Sequence, residues 1–145
     1  MKISTKGRYA LRLMLDIANN SKEKPVSVKD IAQRQNISDK YLEQIISVLN
    51  GAGYVKSIRG PQGGYLLKKK PEEYTVGSIL RLTEGTLAPT SCVESDDEFG
   101  CDRMDKCVTV KLWKMINDAI NDVVDNVTLA DMIEWQGNDA DNYCI

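Results

Sequence analysis

The amino-acid sequence predicts a mainly α-helical fold with one small β-hairpin, arranged as a winged helix-turn-helix that precedes a long C-terminal helix. Three patterns predict it. Two short helical segments are joined by a brief turn at residues 36–37, two alternating apolar segments flank the glycine-rich turn RGPQGG, and apolar residues recur at helical spacing over residues 112–127. The 145 residues are enough for one ordinary hydrophobic core with an appendage.

Three helices are predicted in the N-terminal half. Residues 5–19 carry an apolar stripe that is too wide for a helix with one covered face. A second helix is predicted over residues 27–35, because Ser27 and Asp30 resemble a capping box. Ser38 is a good N-cap for the third helix, which two glycines end. The core-facing residues predicted on this third helix are Leu42, Ile45, Ile46 and Leu49.

A β-hairpin is predicted directly after the third helix. The segment YVKSI alternates like a strand, RGPQGG forms a turn cluster, and YLL is a second short strand. A hairpin at this position is a wing. Arg59 lies at its tip and three lysines at residues 68–70 follow the second strand, so basic side chains are available at both ends of the hairpin.

The C-terminal half is predicted to contain two further helices. Thr75 caps a short helix that Gly85 ends, and a long helix covers about residues 107–126. The long apolar stripe of this last helix favours a dimerisation role, and the alternative is that it closes the core of the monomer. We therefore divide the chain into four parts. They are a DNA-binding domain at residues 1–85, a cysteine loop at 86–107, a dimerisation helix region at 108–135 and a polar, frayed tail at 136–145.

Charge is distributed very unevenly along the chain. Residues 1–70 contain 14 Lys and Arg against 5 Asp and Glu, whereas residues 71–145 contain 5 against 16. A basic half favours binding to a polyanion, because neutralised phosphates release counterions. No apolar run approaches the ~20 residues that span a bilayer, so we expect a cytoplasmic protein without a membrane partner. The absence of histidine, and of any visible nucleophile-base pair, argues against an enzyme.

Three cysteines lie in one acidic segment, SCVESDDEFGCDRMDKCVTV, at Cys92, Cys101 and Cys107. In a chain without a signal peptide such a group indicates metal or redox chemistry rather than disulfides. Thiolates suit iron-sulfur clusters and zinc, and spacing alone leaves both open beside free redox thiols. Cys144 stands apart in the polar tail and is interpreted as incidental.

Several of these segments together resemble the IscR, NsrR and CymR group of bacterial winged helix-turn-helix transcription regulators. They are MKISTKGRYALRLMLDIA, ISDKYLEQIISVLNGAGYVKSIRGPQGGYLL, TVGSILRLTEG and the three-cysteine segment. The resemblance covers about residues 1–135. It implies a homodimeric regulator, of repressor type, that binds a pseudo-palindromic operator in double-stranded DNA.

The three-cysteine segment is most similar to that of IscR-like members, since CymR-like members lack the triplet. This likeness implies a 2Fe-2S cluster on Cys92, Cys101 and Cys107 and control of iron-sulfur cluster assembly genes. Two alternatives remain: an NsrR-like nitric oxide sensor with a 4Fe-4S cluster, and a structural protein that binds zinc or carries a cluster.

The chain departs from the group at its cluster ligands. The spacing C-x8-C-x5-C has a longer first gap than is usual in IscR-like loops. The histidine that supplies the fourth ligand in IscR-like members is matched by Val110, and the acidic N-terminal ligand of NsrR-like members by Arg8. The fourth ligand is therefore unassigned. It is an exogenous group, a residue of the partner subunit, or one of the carboxylates Glu94, Asp96, Asp97, Glu98, Asp102 and Asp105.

The resemblance also implies a set of DNA-contacting residues. The N-terminal turns of the third helix reach base edges in the major groove, and Arg59 suits a narrow minor groove, while Gly60 lets the backbone approach a phosphate. Glu43 has two interpretations: an ion pair with Lys40, or a carboxylate that accepts from cytosine N4 and disfavours other bases. The predicted DNA-binding residues are Ser38, Lys40, Tyr41, Glu43, Gln44, Arg59 and Gly60.

Overall fold

The computed structural model describes residues 1–94 and 101–142, and its elements confirm the predicted fold class. It contains six α-helices and one hairpin in the described residues. The elements are α1 (Thr5–Asn20), α2 (Val28–Gln35), α3 (Asp39–Gly51), β1 (Val55–Ile58), β2 (Gly64–Leu67), α4 (Val76–Glu84), α5 (Val108–Asn126) and α6 (Leu129–Asn142). Short 3-10 turns cover Pro71–Glu73, Ser91–Val93 and Met104–Lys106.

The first four helices all begin at a hydroxyl side chain. The Oγ atoms of Ser4, Ser27 and Ser38 and the Oγ1 of Thr75 each accept the backbone N–H three residues on, at 3.1–3.2 Å. Each such cap satisfies a donor that the helix itself leaves unpaired, and is typically worth ~1 kcal/mol. The predicted caps at residues 27, 38 and 75 are thus confirmed.

A three-residue turn separates α2 from α3. Asn36 ends α2 in the left-handed conformation, with φ 53° and ψ 49°, which asparagine tolerates better than most residues. Ile37 follows and is buried, and Ser38 opens α3. The turn therefore directs α3 away from α2 while one apolar side chain anchors it to the core.

The core lies where α1 crosses the other helices. Ala10, Leu13, Met14 and Ile17 of α1 are fully buried, and α1 packs against α2, α3, α4, α6 and β2. α2, α3, α4, α6 and β1 contribute Ile31, Leu42, Ile45, Ile46, Leu49, Val55, Ile79 and Leu129. The four core residues predicted on α3 are confirmed. Leu129 comes from far along the chain, at the start of α6, and is 0% exposed.

The wing is an antiparallel hairpin held against the chain before α2. β1 pairs with β2 from Val55 opposite Leu67 to Ile58 opposite Gly64. Val26 exchanges two backbone hydrogen bonds with Tyr65, at 2.8 and 3.0 Å. A Cβ atom at residue 64 would lie 2.4 Å from the Val26 carbonyl oxygen, so this close approach requires the glycine. The base of the wing is therefore fixed to the helical core.

The long C-terminal region is two helices rather than one. The Thr128 N–H donates to Asp131 Oδ2 at 2.8 Å and the Asp131 N–H donates back to the Thr128 hydroxyl at 3.2 Å, so a new helix starts here. The Thr128 N–H and then the Thr128 hydroxyl, which both donate to the Asp131 carboxylate, lower the pKa of Asp131. α6 continues to Asn142, through residues that we expected to form a frayed tail.

The junction between α5 and α6 is joined to the start of α4. The Val76 N–H donates to the Val127 carbonyl at 2.8 Å, and the Leu129 N–H donates to the Tyr74 carbonyl at 3.0 Å. The C-terminal helices are thereby attached to the helix-turn-helix unit through its backbone. Neither α5 nor any other described helix is long and apolar enough to cross a membrane.

Candidate DNA-binding surface and cysteine segment

The predicted base-reading residues lie on the solvent side of α3. Lys40, Glu43 and Gln44 are exposed, and Tyr41 is half-buried. Ser38 is exposed as well, although its hydroxyl oxygen already accepts the Tyr41 N–H at 3.2 Å as the helix cap. The buried residues of α3 occupy the opposite face. The helix thus offers polar side chains at its N-terminal turns, and their contact with DNA stays a prediction.

Glu43 and Lys40 form no ion pair in the structure, although both side chains are described. Within residues 1–94 and 101–142 the ion pairs closer than 4.0 Å join Arg34 to Asp16 and Arg81 to Asp125. The Glu43 carboxylate is exposed on the surface that α3 presents to solvent. The ion-pair interpretation thus has no contact behind it among the described residues, and the base-reading role of Glu43 stays a prediction.

The tip of the wing carries Arg59 and Gly60, both exposed. Gly60 has φ +119°, a conformation that side chains with a Cβ rarely adopt, and an added Cβ would meet no atom within 4 Å. Glycine is therefore required here by the backbone conformation of the turn rather than by crowding. Lysines 68–70 are exposed at the other end of the hairpin, so the wing is basic at both ends as predicted.

The three cysteines of the acidic segment are all free thiols. Cys92 is half-buried in the 3-10 turn Ser91–Val93, with its Sγ 3.1 Å from Thr90 Oγ1. Cys101 and Cys107 are exposed. Cys107 is the N-cap residue of α5, and hydrogen bonds from the Thr109 hydroxyl and then the Val110 N–H lower the pKa of its thiol. A lowered pKa enriches the thiolate, which is the form that binds metals.

The described residues contain no ready-made metal site: within them, no three Cys, Asp or Glu side chains lie close enough together to hold a metal ion. Ligation by Cys92, Cys101 and Cys107 therefore stays a prediction. The donor set itself fits an iron-sulfur cluster, because it consists of soft thiols with two of three reachable from solvent.

The proposed fourth ligands divide into two groups. Glu94, Asp102 and Asp105 are exposed near the cysteines. The carboxylates at residues 96–98 lie outside the described residues, as does Cys144.

A cleft of about 200 Å³ separates Cys92 from α5. Val110, Lys114 and Asp118 line it from consecutive turns of α5, and Asn117 lies beside them. Val110 is the position at which IscR-like members carry a ligating histidine, and here it faces the same cleft as Cys92. Asp118 was not among the predicted ligands. It lines the cleft because it lies about two helical turns after Val110 on α5.

α5 has no buried residue among its 19. Val108, Met115 and Val123 are 87%, 62% and 61% exposed, and Leu112 and Ile116 are also exposed. One side of the helix borders an apolar groove of about 420 Å³, to which Met1, Ile3, Leu80 and Leu87 contribute. α5 therefore does not simply close the core of the monomer, and its apolar stripe is available to a partner.

A helix-turn-helix with an exposed polar recognition helix and a basic wing defines the class of winged helix-turn-helix DNA-binding proteins. Residues 3–135 match the model of the Rrf2 family, described as iron-dependent transcriptional regulators. The chain belongs to the Rrf2 family and is a transcription regulator.

Its relatives include two kinds of regulator. The chain is 43% identical over 143 residues to the HTH-type transcriptional regulator CymR of Bacillus subtilis, covering 99% of this chain and 97% of that protein. It is 41% identical over 136 residues to the regulator IscR of Serratia proteamaculans, covering 94% and 81%. The structure of CymR, the global cysteine regulator of B. subtilis, matches with a TM-score of 0.77 and 42% identity over 93% of this chain and 98% of that one.

Proposed function

We propose that this chain is a homodimeric transcription repressor whose DNA binding depends on an iron-sulfur cluster, of the 2Fe-2S type, held by Cys92, Cys101 and Cys107. The observation that carries the proposal is the position of Cys107. It is an exposed thiol with a lowered pKa, and it is also the N-cap residue of α5, the helix with the exposed apolar stripe. A ligand at this position connects the state of the cysteine segment to the start of the dimerisation helix.

When bound, the cluster supplies a redox-active and chemically labile centre that a regulator can use as a signal. The chain's own contribution is the ligand set and its surroundings. Hydrogen bonds from Thr109 and Val110 lower the pKa of Cys107 and so favour its thiolate form. Asp118 lines the cleft beside Cys92. We include Asp118 with Glu94, Asp102 and Asp105 among the residues for the fourth ligand. An oxygen ligand leaves such a cluster easier to lose, which suits a sensor of cluster supply controlling cluster assembly genes.

DNA recognition is assigned to α3 and the wing of each subunit. Lys40, Tyr41, Glu43 and Gln44 enter the major groove, and Arg59 enters the neighbouring minor groove. Two copies joined through α5 present two such units related by a two-fold axis. A pseudo-palindromic operator has the same symmetry, so each half-site receives one recognition helix.

A second candidate function is regulation of cysteine metabolism. It is favoured by the 43% identity to the B. subtilis CymR protein over almost the full length of both chains. In that case the three thiols act without a cluster, as redox groups or zinc ligands. The cysteine triplet beside an accessible α5 supports the cluster-dependent function over this alternative.

The function is tested by purifying the protein anaerobically and measuring iron, acid-labile sulfide and zinc. A duplex selected from a randomised library by this protein then serves as the operator. We expect a brown protein with iron and sulfide in equal amounts, and markedly weaker binding to the duplex after the cluster is removed. Iron counts separate a 2Fe-2S from a 4Fe-4S cluster. A colourless protein that binds the duplex equally well with and without a chelator would contradict the proposal.

Glu43→Ala is expected to relax sequence discrimination. The Glu43 carboxylate is exposed and unpaired with Lys40, so at a wrong base pair it is left desolvated beside the phosphates. Its removal should tighten binding to single-mismatch operators by roughly 1–3 kcal/mol, the usual value of one base-pair discrimination, and change binding to the best operator little. Fluorescence anisotropy titrations against matched and mismatched duplexes measure the difference.

The control for this prediction is Asp39→Ala, which removes a neighbouring exposed carboxylate from the first turn of α3. It should shift all duplexes alike. If Glu43→Ala changes the affinity for matched and mismatched duplexes by the same amount, Glu43 affects binding only through its charge and does not discriminate between bases.

A further inference from the structure

A chain of side-chain contacts runs from the core to the recognition helix through the outer surface of α1. Its last link joins Tyr9 of α1 to Tyr41 of α3, whose ring centroids lie 5.7 Å apart with an interplanar angle of 74°. This is the edge-to-face geometry that aromatic pairs prefer. Both rings are half-buried against the core, so the pair fixes the ring of Tyr41 while the side chain stays at the surface.

Arg12 also contacts the Tyr9 ring. Its guanidinium carbon lies 5.4 Å from the ring centroid, within the range of a cation-π contact. The same guanidinium donates from Nε to the side-chain oxygen of Gln35 at 3.0 Å, and from Nη2 to the Gln35 backbone carbonyl. Arg12 is therefore held at the end of α2 while it covers Tyr9.

The contact chain ends on a buried carboxylate. Gln35 donates its amide N–H to Asp16 Oδ2 at 2.8 Å, and Asp16 is 3% exposed. Arg34 donates to the same carboxylate from Nε, at 3.1 Å, and from Nη2, at 2.6 Å. These hydrogen bonds raise the pKa of Arg34. A buried carboxylate with several donors has one stable position, so it provides a fixed anchor for Gln35 and hence for Arg12.

We propose that Tyr9 and Arg12 are positioning residues for DNA recognition, which hold the Tyr41 side chain in its DNA-binding orientation before DNA arrives. The proposal rests on the assignment of Tyr41 to the DNA surface in the proposed function. A side chain that is already ordered loses less rotamer freedom on binding, and this raises affinity without a new contact. Neither Tyr9 nor Arg12 belongs to α3 or to the wing.

A double-mutant cycle between Tyr9 and Tyr41 tests the proposal. The variants are Tyr9→Leu, which keeps apolar bulk at a half-buried position, Tyr41→Ala, and the two combined. Each full-length protein is titrated against the duplex selected by the wild type, and its thermal midpoint and iron content are measured in parallel. Tyr9→Phe is the conservative variant, because it keeps the ring that both contacts use.

We expect Tyr9→Leu to weaken binding to the duplex about threefold to tenfold, in line with the loss of one aromatic pair, with iron content unchanged. Tyr9→Phe should restore nearly all of the affinity. In the Tyr41→Ala background, Tyr9→Leu should have no further effect on binding. This loss of additivity is what a residue acting through Tyr41 requires, and a residue that only stabilises the fold does not produce it.

Three outcomes overturn the proposal, and they differ in what else they affect. Additive losses show that Tyr9 acts independently of Tyr41, as a direct DNA contact does. If the Tyr9→Leu protein binds the duplex normally while the Tyr41→Ala protein binds it more weakly, Tyr9 has no part in recognition. The assignment of Tyr41 to the DNA surface is then unaffected. A normal affinity for Tyr41→Ala removes that assignment as well. If the Tyr9→Leu protein is too unstable to titrate, Arg12→Met takes its place in the cycle. This variant keeps the apolar length of the side chain but removes the cation over the Tyr9 ring and the donors to Gln35. The same criteria apply.

Discussion

Replacing Cys101 by serine is expected to abolish or strongly destabilise the iron-sulfur cluster. A serine hydroxyl is a hard, weakly acidic ligand, whereas the irons of such clusters are held by soft thiolates. Cys101 is exposed, so the substitution leaves the helical core untouched and the thermal midpoint of the cluster-free protein should not move. Iron and sulfide content and visible absorption after anaerobic purification should fall close to background. Cys92→Ser and Cys107→Ser should give the same loss.

Cys144→Ser is the matched control, since Cys144 stands apart from the other three cysteines in the polar C-terminal sequence and is interpreted as unrelated to the ligand set. This protein should keep its colour and its iron. Full iron content and an unchanged spectrum in the Cys101→Ser protein would mean that Cys101 is not a ligand. If every single variant instead contains the same amount of zinc, the protein binds a structural metal through other residues.

Val123→Asp is expected to dissociate the homodimer and weaken operator binding by ~100-fold or more. In the dimer the two recognition helices are linked and bind both half-sites together, and this gain is lost when the subunits separate. Val123 is 61% exposed in the single chain, so the monomer tolerates the carboxylate. In a dimer formed through α5 the same carboxylate is buried without a partner, which costs several kcal/mol. Sedimentation velocity reports the oligomeric state and titration of the selected duplex reports the affinity.

Asn138→Asp adds the same single negative charge at an exposed position of α6 and serves as the control. It should remain dimeric and bind the duplex normally. A Val123→Asp protein that sediments as a dimer would place the subunit interface elsewhere than on the apolar face of α5.

Local sequence patterns predicted most of the helix-turn-helix unit. Hydroxyl caps, glycine stops and apolar periodicity act within a few residues, and they identified α1 to α4 and both strands to within a residue or two. α6 was missed because its apolar residues are confined to its first two turns and a polar segment with a glycine follows. That helix is stabilised mainly by the Thr128 cap and by packing against α1, and packing between distant segments leaves no local period.

The same limit applies to the candidate sites. Residue types and spacing identified three thiols and a recognition helix, but not how far the sulfurs stand from one another. Tyr9 and Tyr41, like Asp16 and Arg34, are separated by several helical turns and an intervening loop, and their contacts depend on how α1 crosses α2 and α3. The role that we propose for α1 in shaping the DNA surface therefore could not be predicted from local sequence.

Leu129 also has a consequence for the order in which the protein matures during synthesis. Its side chain lies in the core of the helix-turn-helix unit although the residue belongs to the start of α6, and its N–H donates to the Tyr74 carbonyl. Domains generally fold as units as they leave the ribosome, and this one lacks a core side chain until the segment after α5 has emerged. A nascent chain that ends before residue 129 therefore lacks one fully buried side chain of this core.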